Sequence, residues 1–307
     1  MYNAGPFLAR AVQSALDQSC GDFELIVIDD GSTDGCLNPV RSLNDPRIRI
    51  LSQTNQGAPA AINTGLRATN GERIALLDAD DLWMPGKLAA HWECIASHPE
   101  LDLTFDWSRW IDERDQDLGL SSRPWQGPIS FEQLLVDFVP GNSSSLVFRR
   151  RAIDQAGGVN SDLAYVKDVD LCLRVARLRP GNCRSVPGYL TRYRRHSGQI
   201  SRKWRDHQKD WERLLGQVTS FAPPGTADLL SLADSNMRRY VAWLAAEEGD
   251  GLNAVLLALS ALFRAPFQAP ADSRNWAVLA AACGRCLLPN PYYSKALNLG
   301  KRLFNRG

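Results

Sequence analysis

The stretch ELIVIDDGSTD, residues 24–34, changes character at its midpoint. Leu25, Ile26, Val27 and Ile28 form an unbroken apolar run, and Asp29-Asp30-Gly31-Ser32-Thr33-Asp34 ends it. Such a run fits a strand covered on both faces, closed by a turn of the kind that glycine and short oxygen-bearing side chains favour. Ser32 or Thr33 is placed to cap whatever helix follows. A strand buried on both faces needs helices packed against it, so the flanking sequence should supply them.

It does. Upstream, Phe7, Leu8, Ala11, Val12, Ala15 and Leu16 recur at helical spacing behind Pro6, a residue tolerated in a first turn. Downstream come a short strand at Ile48 to Leu51, a helix over Ala58 to Ala68, and a strand at Arg73 to Leu77 that runs into Asp78-Ala79-Asp80-Asp81. Leu101 to Phe105 reads as a further strand. Beyond it, Ser144 to Phe148 reads as a strand, followed by a helix ending at Gly157-Gly158, a helix over Val169 to Leu178 and a strand at Tyr189 to Arg194. This alternation predicts an α/β domain over residues 1–203, Rossmann-like, with a mostly parallel sheet flanked by helices. From Trp204 the pattern turns Ala/Leu-rich and helical, so 204–307 is expected to be a helical C-terminal extension. Sheets of this kind normally open on a strand, whereas this chain opens on a loop and helix. Either the first strand is missing or the start has been placed too far downstream.

Composition narrows the function classes. The 307 residues are 44% apolar and 22% charged, which suits a globular chain, and the formal net charge of +1 provides no field that would draw the molecule to nucleic acid. The seven cysteines are scattered and odd in number, as for reduced thiols in the cytoplasm. Cys283 and Cys286 make one C-x-x-C without a second ligand pair nearby, so helix packing outweighs a zinc site there. The opening residues do not read as a charged-then-apolar leader, and no uncharged apolar run reaches the roughly 18 residues that a membrane-crossing helix needs.

Asp78-Ala79-Asp80 is the sharpest chemical signal. In extended backbone alternate side chains share a face, so Asp78 and Asp80 can meet one ligand while Asp81 turns aside. They follow the carboxyl end of a strand, the edge at which open α/β sheets bind ligands. Two carboxylates there suit Mg²⁺ or Mn²⁺ shared with a diphosphate. The plainer alternative is that they cap the next helix. Asp29-Asp30 ends a different strand on the same rim and offers acceptors to a base or ribose. Asp168 and Asp170 stand before an amphipathic helix, as an N-cap or as a general base. His196 lies in the basic run from Arg192 to Lys203, which reads as a solvated face or a phosphate contact.

Taken in order, these segments resemble glycosyltransferase family 2 from about Tyr2 to Ser201. Tyr2-Asn3 looks like the tail of the family's opening strand. FELIVIDDGSTD (23–34) is similar to its base-binding motif. NQGAPAAINTGLRATNGERIALLDADD (55–81) resembles the segment leading into its D-x-D. FRRRAIDQAGGV (148–159) and KDVDLCLRVA (167–176) resemble its acceptor side and E-D-x-D-L-x-x-R motif, and YRRHSGQIS (193–201) its Y-R-x-H segment. The resemblance implies a GT-A fold and inverting transfer from a nucleotide-sugar donor, with UDP the family-weighted choice, to a glycan or lipid-linked acceptor in bacterial surface polysaccharide assembly. It implies that Asp30 contacts the nucleobase, Asp78 faces the ribose or diphosphate, Asp80 ligates the metal and Asp168 is the catalytic base. Three departures accompany it: the absent opening strand, Lys167 where Glu is usual, and Ile62 in place of an arginine. They keep open a second reading, a non-catalytic nucleotide-sugar binder or assembly protein. A third assigns the tail to a peripheral membrane contact, carried by the apolar stretch Ala277 to Leu288; its alternative is packing on the catalytic domain.

Overall fold

A computed structural model describes residues 1–287, which divide into two compact units. One comprises residues 1–131 and 139–196, the other residues 132–138 and 197–287.

The first unit runs α1 (Phe7–Leu16), β1 (Leu25–Asp29), α2 (Leu37–Arg41), β2 (Ile48–Ser52), α3 (Ala58–Ala68), β3 (Arg73–Ala75), β4 (Leu82–Trp83), α4 (Lys87–Ser97), β5 (Leu103–Ile111) and β6 (Asp117–Ser121). After α5 (Phe131–Val136), most of which belongs to the second unit, it resumes with β7 (Leu146–Arg149), α6 (Arg150–Ala156), α7 (Lys167–Leu178) and β8 (Cys183–Arg194). β1 and β2 pair in parallel, Leu25 opposite Ile48 through Asp29 opposite Ser52. A six-stranded sheet has the order β3-β7-β5-β8-β4, with β6 beside β5. Parallel pairing, expected to predominate, holds for β1–β2 and β5–β8. β7 lies antiparallel between β3 and β5, and β4 and β6 join antiparallel, so the sheet is mixed and curled.

Packing explains the order. α1 and α2 bury Leu8, Val12, Leu37 and Val40 against Val27 of β1, with Leu25, Ile48 and Ile50 alongside. Each such side chain contributes about 1.5–3 kcal/mol on leaving water. Leu103, Phe105, Leu146, Phe148 and Cys183 are fully enclosed at the centre of the larger sheet. Met1 lies on the edge of β1 away from β2: its amino nitrogen donates to Ile28 O at 2.7 Å and its carbonyl accepts from Asp30 N at 2.8 Å. It therefore pairs where the expected first strand would run.

A polar knot sits inside this unit. The Lys87 ammonium pairs with Asp106 without exposure of either side chain, and also reaches Thr191 Oγ1 (3.2 Å) and Ser145 O (3.3 Å). His91 contacts Asp106 Oδ2 through Nε2 (3.0 Å) and Thr104 Oγ1 through Nδ1 (2.8 Å). A buried charge is tolerated only when paired and hydrogen-bonded, and here α4, β5 and β8 are tied by that requirement.

The second unit packs α8 (Trp204–Phe221), α9 (Ala227–Glu247), α10 (Gly251–Arg264) and α11 (Ser273–Leu287). Its core joins Val241, Ala242, Leu244 and Ala245 of α9 to Ala254, Leu257 and Ala258 of α10 and Val278 and Ala282 of α11. The apolar stretch from Ala277 thus lends Val278 and Ala282 to the core of its own helical unit; Leu288 lies outside the described residues. α10 and α11 approach closely because Gly251 has no side chain: a Cβ there would stand 2.8 Å from Cys286 Sγ and 3.1 Å from Cys286 N.

Candidate active site

Asp30 is buried, and its carboxylate is engaged by its own chain. Oδ1 accepts from Gln53 Nε2 (2.7 Å) and Gln56 N (2.9 Å), and Oδ2 accepts from Gly57 N (2.8 Å). These three bonds fold the loop after β2 back over the end of β1, and Gly57 at φ +87° lets the backbone turn there. Asp29 Oδ1 accepts from Ser32 N at 2.9 Å. Ser32 and Thr33 cap no helix. Ser32 Oγ accepts from Asn3 N (3.0 Å), and Thr33 N donates to Asn3 Oδ1 (2.9 Å). The turn holds the chain's opening loop, and Asp34 supplies the acceptor for Cys36 N at the start of α2 (3.1 Å).

The acidic loop after β3 is held from behind by Ser144. Its hydroxyl accepts from Asp78 N at 3.0 Å and donates to Asp81 Oδ2 at 2.6 Å. Asp81 Oδ1 accepts from Arg194 N at 2.8 Å, and Arg194 Nε donates to Asp80 O at 2.6 Å. Asp81 therefore turns inward, fully enclosed, and burial raises its carboxyl well above the ordinary range, with Asp80 and Asp78 adding to the rise. Asp78 is half-buried. Loss of water pushes its carboxyl up to about 6; the Lys167 charge opposes this, and the charges of Asp80 and Asp168 add to it. Asp80 Oδ2 lies 2.9 Å from His196 Nε2.

Asp168 occupies the first turn of α7. The residue preceding that helix is Val166, with no side-chain cap, so neither Asp168 nor Asp170 serves as N-cap. Asp168 Oδ1 accepts from the adjacent Val169 N at 3.0 Å. Asp170 has a structural partner. It is buried against Arg174, whose Nε donates to its Oδ2 at 3.0 Å, while Arg174 also reaches Ala156 O. The approach to α7 is set by Asn63. Its amide donates to Val159 O (2.8 Å) and accepts from Val159 N (2.9 Å), beside Gly158 at φ +75°.

Asp78 thus feels the charges of Lys167, Asp80 and Asp168, and the Met1 amino group those of Asp30, Asp78 and Asp29. Sequence reading missed Ser144, Asn63 and the Asp80–His196 contact, although YRRHSGQIS contains the histidine. Asp80 and His196 offer one carboxylate and one imidazole. Among the described residues no group of three or more His, Cys, Asp or Glu could enclose a metal ion. That donor set fits Mg²⁺ or Mn²⁺ only in the way such ions bind with nucleotides, through one or two protein ligands completed by phosphate oxygens and water.

Residues 1–155 match the family model for glycosyl transferase family 2, and the chain belongs to that family. An uncharacterized glycosyltransferase of Nostoc sp. is 30% identical over 205 residues, covering 64% of this chain and 62% of that protein. Escherichia coli chondroitin synthase is 30% identical over 181 residues, covering 58% of this chain and 26% of that protein. The chain spans less than two thirds of the length of either relative. In three dimensions it resembles the crystal structure of Staphylococcus aureus TarS 1-349 in complex with UDP-GlcNAc (TM-score 0.57, 14% identity, 92% of this chain and 89% of that one). It also resembles the Pyrobaculum calidifontis mannosyltransferase PcManGT in complex with GDP-Man and Mn²⁺ (TM-score 0.60, 18% identity, 99% and 84%). The fold is that of GT-A glycosyltransferases with a helical C-terminal region.

Proposed function

We propose that this protein transfers a sugar from a nucleotide-sugar donor, UDP-linked, to a hydroxyl of a glycan or lipid-linked acceptor, with inversion at the anomeric carbon. The observation that carries this reading is that Asp168 of α7 stands near enough to the acidic loop for its charge to act on Asp78 together with that of Asp80, so carboxylates from two separate segments of one α/β unit border one region. Asp168, at the mouth of α7, accepts the proton of the acceptor hydroxyl as its oxygen attacks the anomeric carbon. The bond from that carbon to the nucleoside diphosphate breaks, and its electron pair leaves with the diphosphate. Asp78 faces the ribose or diphosphate, and Asp30 shapes the base end by holding Gln53, Gln56 and Gly57 in place. Asp80, with His196 beside it, would hold a divalent ion, which when bound supplies Lewis-acid neutralisation of the departing diphosphate.

Residues 1–203 serve as the catalytic domain, and the helices from Trp204 to Leu287 belong to its C-terminal extension. The setting is bacterial surface polysaccharide assembly on the cytoplasmic side, with peripheral contact at the inner face of the membrane. Among the described residues no helix is long and apolar enough to cross a bilayer.

A non-catalytic nucleotide-sugar binder is the rival. Lys167 favours it, because a cation stands beside Asp168 where the family resemblance leads one to expect a glutamate. A panel of nucleotide sugars, tested by thermal shift with and without Mn²⁺ and then for nucleotide release with acceptor, separates the two. A transferase is stabilised by its donor and releases diphosphate only when acceptor is added. A binder is stabilised and releases none.

A further inference from the structure

Helix α10 is amphipathic in an inverted sense. Its inward face is made of small residues, Ala254, Ala258 and Ala261, together with Leu257. Its outward face carries the large ones: Leu252 is 69% exposed, Leu256 55%, Leu259 37% and Phe263 80%. These four are spaced by four, three and four residues, which places them on one stripe opposite the alanines. Phe267, just past the helix end, is 88% exposed and continues the apolar surface. Single exposed apolar residues need no account, but a contiguous stripe of this size marks an interaction surface.

The charge of the sequence from α10 onward points to the partner. Residues 251–307 carry seven Lys or Arg residues and one acid, Asp272, a net of +6 in a chain whose total is +1. α10 and α11 contain no Asp or Glu. The acids at the start of α10 are ion-paired, Asp250 with Arg205 and Glu248 with Arg202. Asp272 is paired with Arg239 and Arg274, and Arg264 at the end of α10 is paired with Asp234. With 14 residues the helix is about 21 Å long, too short to span a bilayer but suited to lie in its interface.

We infer that the Leu252–Leu256–Leu259–Phe263 stripe, extended by Phe267, is the surface on which this protein docks to an anionic lipid bilayer. The apolar side chains enter the acyl boundary, and the net positive charge of the sequence from residue 251 onward is drawn to the headgroups. This deepens the peripheral membrane contact proposed above and is independent of sugar transfer, since the test reads binding alone. The full chain is floated with vesicles of phosphatidylcholine containing 30% phosphatidylglycerol and, separately, with vesicles of phosphatidylcholine only.

The expected result is recovery with the anionic vesicles, at least about tenfold weaker binding to the neutral ones, and weakening as salt rises. The triple variant L256Q/F263S/F267S should lose at least about tenfold in binding with an unchanged melting temperature, because all three side chains are exposed. A variant that melts lower is replaced by F267S, which lies outside the helix and should still bind less. Absence of flotation at low salt overturns the inference, as does a triple variant that floats like the parent. Concentration-dependent self-association, abolished by the same substitutions and without vesicle binding, would instead assign the stripe to a second copy of the chain.

Discussion

Ser144 and Asp81 share a 2.6 Å hydrogen bond in the interior of the first unit, and the same hydroxyl accepts from Asp78 N. One side chain thereby fixes both the inward-turned and the outward-facing ends of the acidic loop. Ser144→Ala leaves a buried carboxyl and a backbone N–H short of one partner each. It should destabilise the protein by about 1–3 kcal/mol and weaken donor nucleotide binding. Chemical denaturation and nucleotide titration on the same variant check both.

The Lys87–Asp106 pair should behave as a buried ion pair does. Lys87→Met leaves the buried Asp106 carboxylate without its ammonium partner and should cost about 3–5 kcal/mol. The double variant K87M/D106L removes both charges and should recover much of that loss. Equilibrium unfolding of the two variants tests this, and equal losses would contradict it.

His91 gives the fold an acid-side sensitivity. Burial first, and then the Lys87 charge, lower the His91 pKa below its ordinary 6.5, against the pull of Asp106. The folded state therefore binds fewer protons than the unfolded chain just below pH 6.5, so stability falls as pH drops through that window. Asp106 is itself held below 3.8: burial works against this, and Lys87 and His91 outweigh it. Its contribution is present above pH 3.8 and is lost only in stronger acid. His91→Gln should flatten the pH dependence of unfolding between about 6.5 and 5 while leaving the loss near pH 3 in place.

Asn63 binds Val159 through both its amide oxygen and its amide nitrogen, and a Cβ at Gly158 would stand 3.0 Å from that oxygen. Asn63→Ala should cost about 1–2 kcal/mol and loosen the segment leading to Asp168, lowering turnover more than nucleotide affinity. Gly158→Ala adds strain at positive φ and should be the more damaging of the two.

Much of this architecture was legible in the sequence. α3 spans Ala58–Ala68 as its spacing predicts, and β1 sits where the apolar run does. α4 went unread because its buried face is made of Lys87, His91 and Ile95, so the hydrophobic pattern is masked by a polar knot visible only in three dimensions. β5 extends to Ile111, past the expected Phe105, since Asp106 finds its cation inside the fold. β8 starts at Cys183, ahead of the expected Tyr189, because Pro187-Gly188 reads locally as a break. The acidic residues of the site were legible as residue types at strand ends. Their restraints were not: Ser144 and Asn63 are ordinary polar residues in sequence, and nothing local says that Asp30 spends its acceptors on residues 53–57.

If Asp78, Asp80 and Asp168 serve one diphosphate and the ion that accompanies it, nucleotide and metal should bind together. Calorimetric titration of UDP into the parent chain and into Asp80→Ala and Asp168→Asn, each with and without Mn²⁺, tests it most directly. Mn²⁺ should strengthen UDP binding to the parent and to Asp168→Asn, and Asp80→Ala should lose this gain. A gain that survives Asp80→Ala unchanged, or UDP binding that none of these conditions alters, would contradict it.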